Sequence, residues 1–104
     1  MKFKLALAQI DPVLGNLQKN VEKHVEFCIR AKKAGAELVV FPELSLTGYT
    51  IKDMNWDLAI NLERDVTALA PLIDMSKSIS IIAGGVEEDS RFAIFNSAFL
   101  FEDG

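Results

Sequence analysis

The spacing of apolar and polar residues along the chain predicts a series of strands and helices. Residues 3–10 are apolar on both faces once the alanines are counted, which is typical of a strand buried on both sides of a sheet. Apolar residues then recur at helical spacing over 17–29, and charged residues fill the opposite face. We therefore expect a helix that Asn16 caps at its N-terminus and that ends at Gly35.

A second apolar run, residues 38–41, predicts a short buried strand that ends at Pro42. Together with the preceding strand and helix it forms a strand–helix–strand unit, which pairs its two strands in parallel. Ligands of such sheets bind beyond the carboxyl ends of the strands. The loop 42–53 is therefore the first place to look for a functional site.

The second half of the chain predicts one more helical region and two strands. Apolar residues recur at helical spacing between about 55 and 77, where Pro71 either kinks the helix or marks its start. Residues 78–86 predict a third strand and residues 92–101 a fourth, joined as a hairpin across 87–91. The pattern predicts an α/β fold with about four strands of one sheet and two helices.

The last residues predict that more chain follows. Asp103-Gly104 is a strong signal for a hairpin turn, and such a turn leads into another strand. A final apolar strand at an open sheet edge would also favour aggregation. We expect residues 1–104 to be the incomplete N-terminal part of a single domain.

Composition and charge narrow the possible functions. The 104 residues leave room for one core, and half of them are apolar. The formal charge of −4, with scattered Lys and Arg, argues against nucleic-acid binding. One cysteine, Cys28, and one histidine, His24, exclude an internal disulfide and a metal site built from soft ligands. We expect no cofactor and a cytoplasmic protein, and we do not expect a membrane protein, because no apolar run approaches about 20 residues.

Glu43 is the candidate catalytic residue. It follows a predicted buried strand and Pro42, so its backbone is held rigid where such sheets bind ligands. Partial burial would make its carboxylate a usable general base near neutral pH. From the residue alone, a solvated loop glutamate or a helix N-cap partner is the alternative.

The residues around Glu43 resemble a known family. The segment 41–49, with the sequence FPELSLTGY, resembles the part of the nitrilase, or carbon-nitrogen hydrolase, superfamily in which the glutamate is the general base. Four other stretches are similar to family counterparts, in the same order and at similar spacing: 5–10, 15–17 with Asn20, 35–40 and 95–98.

The resemblance implies the N-terminal portion of a four-layer αββα sandwich with a Glu-Lys-Cys catalytic set. In that set the cysteine attacks an amide or nitrile carbon, the glutamate accepts its proton, and the lysine stabilises the tetrahedral intermediate. Only Glu43 matches the set here, and the lysine and cysteine would lie beyond Gly104. The implied partner is a small-molecule amide, and the full-length protein is expected to be a homo-oligomer.

Within the superfamily, residues 45–49 and 52–54 look most like the glutaminase portion of glutamine-dependent NAD synthetases and related stand-alone hydrolases. The implied activity is therefore either glutaminase activity that supplies ammonia for NAD synthesis or that of a stand-alone amidase. The alternative is a non-catalytic fragment or interaction module, with the strand 92–101 as its pairing surface.

Four further residues have side chains that could take part in binding or catalysis. The resemblance implies that Tyr49 lines the substrate pocket, with closure of the loop onto the core as an equal alternative. Cys28 lies in the apolar stripe of the first helix, so we expect it in the core and not as the nucleophile. Lys52 is expected to be a solvated loop lysine, and His24 a half-exposed packing residue without a partner.

Two further features are interpreted as structural. Gly84-Gly85 lies within a predicted strand and precedes neither a helix start nor a lysine, so it indicates a strand kink with close backbone packing and not a phosphate site. Asn96 places a polar side chain in an apolar strand, where it needs hydrogen-bond partners or costs about 1–3 kcal/mol. We expect Asn96 to stabilise the fold and to take no part in chemistry.

Overall fold

The computed structural model describes residues 4–14, 16–48, 59–88 and 94–104, and the side chains of 94–96 lie outside that description. These residues form four strands and two helices, which confirms the predicted α/β class. In chain order they are β1 (Leu5–Leu7), α1 (Leu17–Lys33), β2 (Leu38–Val40), α2 (Val66–Met75), β3 (Ser80–Glu88) and β4 (Ile94–Phe101).

The four strands form one mixed sheet in the order β1-β2-β3-β4. β1 pairs with β2 in parallel and β2 with β3 in parallel, so the predicted strand–helix–strand unit is confirmed. β4 pairs antiparallel with β3 along its whole length, as the predicted hairpin requires. Three consecutive register pairs align Ala6, Val39, Ile81 and Phe101 across one face of the sheet.

Helix α1 begins and ends where the sequence predicts. Asn16 caps its N-terminus, since the Asn16 Oδ1 atom accepts a hydrogen bond from the Lys19 amide at 3.1 Å. Gly35 follows its C-terminus with a φ of 87°, a backbone conformation that glycine adopts without a steric penalty. The helix thus holds its inner face in a fixed register against the sheet.

Within the described residues 59–77 of the second helical region, the helix is shorter than the sequence pattern. It spans Val66–Met75, because Ile60 instead forms a parallel bridge with Glu87 of β3. Residues 51–58 lie outside the described ranges. Pro71 lies inside α2 and does not mark its start.

Both helices pack on one face of the sheet. The buried residues of this core are Val21, Cys28, Val39, Phe41, Leu46, Ile60, Leu69, Leu72, Ile79, Ile81, Ala83 and Phe99. Cys28 is fully buried, which confirms its predicted place in the core, and burial raises the pKa of its thiol to about 12. A thiol in this environment is not a nucleophile near neutral pH.

The opposite face of the sheet is apolar and exposed within the described ranges. Leu7 is 77% exposed and Leu100 63% exposed, although both lie in strands. The prediction that β1 is buried on both sides is therefore wrong for this part of the chain, because the helices cover one face only. Among the described helices, none combines the length and the apolar character that crossing a bilayer would need.

Candidate active site

The candidate site lies on the loop that follows β2. Residues 42–48 form a compact turn in which the Ser45 amide donates to the Pro42 carbonyl at 3.1 Å and the Gly48 amide to the Leu44 carbonyl at 2.7 Å. Leu44 has a φ of 59°, which costs free energy for a residue with a side chain. Contacts outside the turn must therefore hold it in place.

Where β2 ends, the turn replaces it as the hydrogen-bonding partner of β3. The Phe41 amide donates to the Ile82 carbonyl at 2.8 Å and the Leu46 amide to the Gly84 carbonyl at 2.7 Å. Between these bonds the Gly84 amide donates to the Ser45 hydroxyl at 3.1 Å. Buried backbone groups need partners, and this turn supplies them from both its backbone and its side chains.

Gly84 allows the turn to come this close to the sheet. A Cβ atom at position 84 would lie 2.7 Å from the Leu44 amide nitrogen and 3.1 Å from the Pro42 carbonyl oxygen. Both atoms belong to the backbone, so they cannot move aside as the end of a flexible side chain would. The predicted close backbone packing at Gly84 is confirmed, and it fixes the turn directly above β3.

Glu43 lies on this turn at the carboxyl end of β2, and its side chain is exposed. It borders a cleft of about 400 Å³ on the sheet face that the helices leave open. The cleft is lined by Val40, Phe41, Pro42, Glu43, Ile82, Ala83, Gly84, Ser97 and Ala98. The partial burial that would favour Glu43 as a general base is not seen in the described structure, because the core lies on the other face of the sheet.

Beneath the turn, a buried polar network links α1 to β3. The His24 Nδ1 atom lies 2.6 Å from the Asn20 carbonyl oxygen, and its Nε2 atom lies 2.9 Å from the Ser45 hydroxyl. The imidazole also packs against the Phe41 ring, with 4.2 Å between the ring centroids. His24, Asn20 and Ser45 are all buried.

The prediction that His24 is half exposed and without a partner is therefore wrong. Burial lowers the pKa of His24 to about 4, so the imidazole is neutral near pH 7. A signal was present in the sequence, because Asn20 and His24 are spaced four apart on the apolar face of a helix. Two polar residues in that position need buried partners.

The other predicted site residues are not tested by the structure. Tyr49 and Lys52 lie outside the described ranges, as does the side chain of Asn96. The backbone of Asn96 pairs with Val86 in the sheet, as predicted for a strand residue. No trio of His, Cys, Asp or Glu that could hold a metal ion occurs within 4–14, 16–48, 59–88 and 94–104.

The arrangement can support proton transfer in the cleft. A carboxylate is held on a rigid turn at the end of a parallel strand, beside an apolar surface that can accommodate a small substrate. The residues that line the cleft include neither a cysteine nor a lysine. Among the described residues that line the cleft, Glu43 is thus the one with an ionisable side chain, and nucleophilic chemistry needs groups from elsewhere.

Comparison with known proteins identifies relatives of this chain. The profile of the family described as carbon-nitrogen hydrolase matches residues 4–104. The glutamine-dependent NAD(+) synthetase of Acinetobacter baylyi is 36% identical over 102 residues, which are 98% of this chain and 18% of that protein. The chain therefore spans about a fifth of the length of this relative.

Solved structures show the same fold. The glutamine-dependent NAD+ synthetase of Acinetobacter baumannii, solved with adenosine diphosphate, is 38% identical, with a TM-score of 0.81 over 97% of this chain and 19% of that one. An amidase from Nesterenkonia sp. has a TM-score of 0.79 at 20% identity, over 97% of this chain and 38% of that one. The mixed sheet with its two helices thus matches the fold of these proteins.

Proposed function

The chain belongs to the carbon-nitrogen hydrolase family, and from this premise we propose that the protein containing it hydrolyses a non-peptide carbon-nitrogen bond, with Glu43 as the general base. The observation that carries the proposal is the place of Glu43. Its carboxylate stands on a rigid turn at the carboxyl end of β2 and borders the cleft on the open sheet face. Such a position suits a group that accepts a proton from a nucleophile in the cleft.

The proposed mechanism needs two groups that the cleft does not contain. A cysteine thiol attacks the amide carbon and gives its proton to Glu43, while a lysine stabilises the negative charge of the tetrahedral intermediate. Glu43 returns this proton to the amide nitrogen, so the carbon-nitrogen bond breaks and ammonia leaves as the thioester forms. Water then hydrolyses the thioester to the carboxylic acid and the free thiol. We propose that residues 1–104 are the N-terminal part of the hydrolase domain and that the lysine and cysteine come from the rest of it.

The proposed substrate is a small-molecule amide, and glutamine is the first to test. Glutamine is favoured because glutamine-dependent NAD(+) synthetases match nearly the whole chain at 36–38% identity. The activity would then supply ammonia for NAD synthesis, whereas a stand-alone amidase would release it. We further propose that the protein is a homo-oligomer and that it is cytoplasmic. Free thiols such as that of Cys28 are common in the reducing cytoplasm.

The direct test is ammonia release by the protein that contains this chain. We expect release from glutamine or a short aliphatic amide, and we expect Glu43→Gln to abolish it while the fold stays intact. Glu26→Gln is a suitable control, because Glu26 is exposed on α1 and does not line the cleft. A folded Glu43→Gln protein with normal turnover would refute the general-base role.

A non-catalytic module is the second candidate, and the exposed apolar sheet face favours it. Leu7 and Leu100 would suit pairing with another protein layer, and β4 is a terminal strand of the described sheet. In that case the protein would bind a partner and release no ammonia from any amide. Turnover that depends on Glu43 excludes this reading.

A further inference from the structure

We infer that Asn20, His24 and Ser45 are positioning residues, which hold the turn that carries Glu43 in its place above β3. The inference rests on the proposed function, because it assigns these residues a part in placing the proposed base. It is carried by an unbroken series of buried hydrogen bonds that runs from α1 through the turn to β3.

The series has one consistent direction. The Asn20 carbonyl can only accept, so the His24 Nδ1 atom carries the proton and donates to it over 2.6 Å. The neutral imidazole then has a lone pair on Nε2, which accepts the Ser45 hydroxyl proton over 2.9 Å. The tautomer of His24 therefore decides how the Ser45 hydroxyl points.

The orientation of the Ser45 hydroxyl also determines its hydrogen bond with β3. Its hydroxyl donates its one proton to His24, so a lone pair is left to accept the Gly84 amide at 3.1 Å. Loss of the imidazole acceptor leaves a buried hydroxyl proton unsatisfied, and loss of the hydroxyl leaves a buried amide unsatisfied. Each residue thus depends on the next, and the turn is fixed at its centre.

Asn20 adds a second attachment one residue further along. Its Nδ2 atom donates to the Leu46 carbonyl at 2.7 Å and also to the Val13 carbonyl at 2.7 Å. Its Oδ1 atom accepts the Val13 amide at 2.6 Å. One side chain of α1 therefore ties the turn to the segment before the helix.

These attachments determine the position of Glu43 because the turn is not a favourable local conformation. Leu44, between Glu43 and Ser45, has a φ of 59° and needs external contacts to keep it there. Ser45 and Leu46 receive the contacts from α1, immediately after the strained residue. Release of Ser45 should let Leu44 relax and shift the carboxylate away from the reacting group.

The test compares two substitutions of His24 in the protein that contains this chain, with glutamine as the probe substrate. His24→Leu keeps an apolar volume but removes the acceptor, whereas His24→Gln offers an amide oxygen close to the position of Nε2. We expect His24→Leu to lower kcat at least tenfold with KM changed less than twofold, since displacement of a catalytic group by about 1 Å can cost 10²-fold. We expect His24→Gln to restore most of kcat.

Two further variants separate positioning from loss of stability. Cys28→Ala removes a buried side chain one turn further along the same face of α1, so it should lower the melting temperature and leave kcat unchanged. Ser45→Ala should lower kcat as His24→Leu does, and the double variant should be no worse than the worse single one, because both break the same series. Additive losses, or an unaltered kcat in folded His24→Leu, would overturn the inference.

Amide hydrogen exchange tests the inference without turnover. Peptides covering 42–48 should exchange faster in His24→Leu and Ser45→Ala than in the wild type, while peptides from α2 remain unchanged. Unchanged exchange of 42–48 overturns the positioning role, whether or not the protein is active. Faster exchange of 42–48 in the two variants, together with a wild type that releases no ammonia, would instead refute the proposed function and leave the role in holding the turn intact.

Discussion

Glu43 and Ser45 lie two residues apart on the same turn, and their surroundings are opposite. Glu43 is exposed at the edge of the cleft on the open sheet face, whereas Ser45 is buried and bonded to both His24 and Gly84. Leu44 separates them with a left-handed backbone conformation that turns one residue outward and the next inward. The turn therefore places the Glu43 carboxylate at the cleft, whereas the hydrogen bonds that hold the turn lie in the core.

This comparison predicts that activity and stability separate along the turn. A change at the exposed residue should remove chemistry without loss of stability, and a change at a buried residue should affect both. The four predictions below test that separation, beginning with the largest expected effect.

Glu43→Gln should lower kcat by about 10²–10⁴-fold in the protein that contains this chain, because general-base catalysis contributes about that much. Its free energy of unfolding should change by no more than about 0.5 kcal/mol, as is usual for an exposed side chain. Steady-state ammonia release and thermal unfolding measure the two quantities. A large loss of stability would show that Glu43, like the buried Ser45, helps to hold the turn in place.

The buried half should make stability depend on pH through His24. Its pKa is about 4 in the folded state because of burial and about 6.5 in the unfolded chain, so between these values only the unfolded chain takes up a proton. Stability should therefore fall as the pH falls from about 7 to about 4, by roughly 3 kcal/mol from this group.

His24→Gln, which cannot titrate, provides the matched comparison for this pH dependence. Carboxylates contribute equally to both proteins, so the difference between the two curves of unfolding free energy against pH isolates the imidazole. We expect the wild-type curve to be steeper between pH 5 and pH 7. Parallel curves would mean that the imidazole takes up its proton at the same pH in the folded protein as in the unfolded chain, which would contradict its burial as a neutral acceptor for Ser45.

These two regions also differ in how far the sequence predicts them. The place of Glu43 follows from local signals, a short apolar strand that ends at proline, and the structure confirms that the residue follows β2. The spacing of Asn20 and His24 indicates that they need buried partners, but the partners themselves could not be predicted, because the series joins His24 to a residue 21 positions away and Ser45 to one 39 positions away. No periodicity within one element reports such contacts.

Other differences have the same physical origin. The apolar residues before α2 also have helical spacing, but Ile60 forms a bridge with Glu87 of β3 beyond the end of β2. Strand pairing there outweighs the local preference for a helix. The strand β1 has the composition of one buried on both sides, yet Leu5 and Leu7 are exposed in the described structure. Apolar composition predicts that a face is suited to burial, and what covers it depends on the neighbouring layer.

Gly84 is where the turn and the sheet touch, and its neighbour provides a control. Gly84→Ala should destabilise the protein by about 1–3 kcal/mol and lower kcat, because the new Cβ would meet the backbone of Leu44 at 2.7 Å. Gly85→Ala should cost less, since its Cβ would meet the end of the Ile60 side chain at 3.0 Å, which can move. Denaturant unfolding of both variants measures the difference, and equal costs would show that the turn yields without strain.

The smallest expected effect concerns the start of the helix that carries the buried network. Asn16→Ala removes the hydrogen bond to the Lys19 amide and should cost about 1 kcal/mol, which is typical of an N-cap. Because Asn16 caps α1 four residues before Asn20, fraying should stop short of the residues that hold the turn, so kcat should not change. Asn16→Ser, which can still cap, should retain most of the stability. A fall in kcat for Asn16→Ala with no fall for Asn16→Ser would contradict the separation of stability from activity, because the start of α1 would then belong with the buried groups that place Glu43.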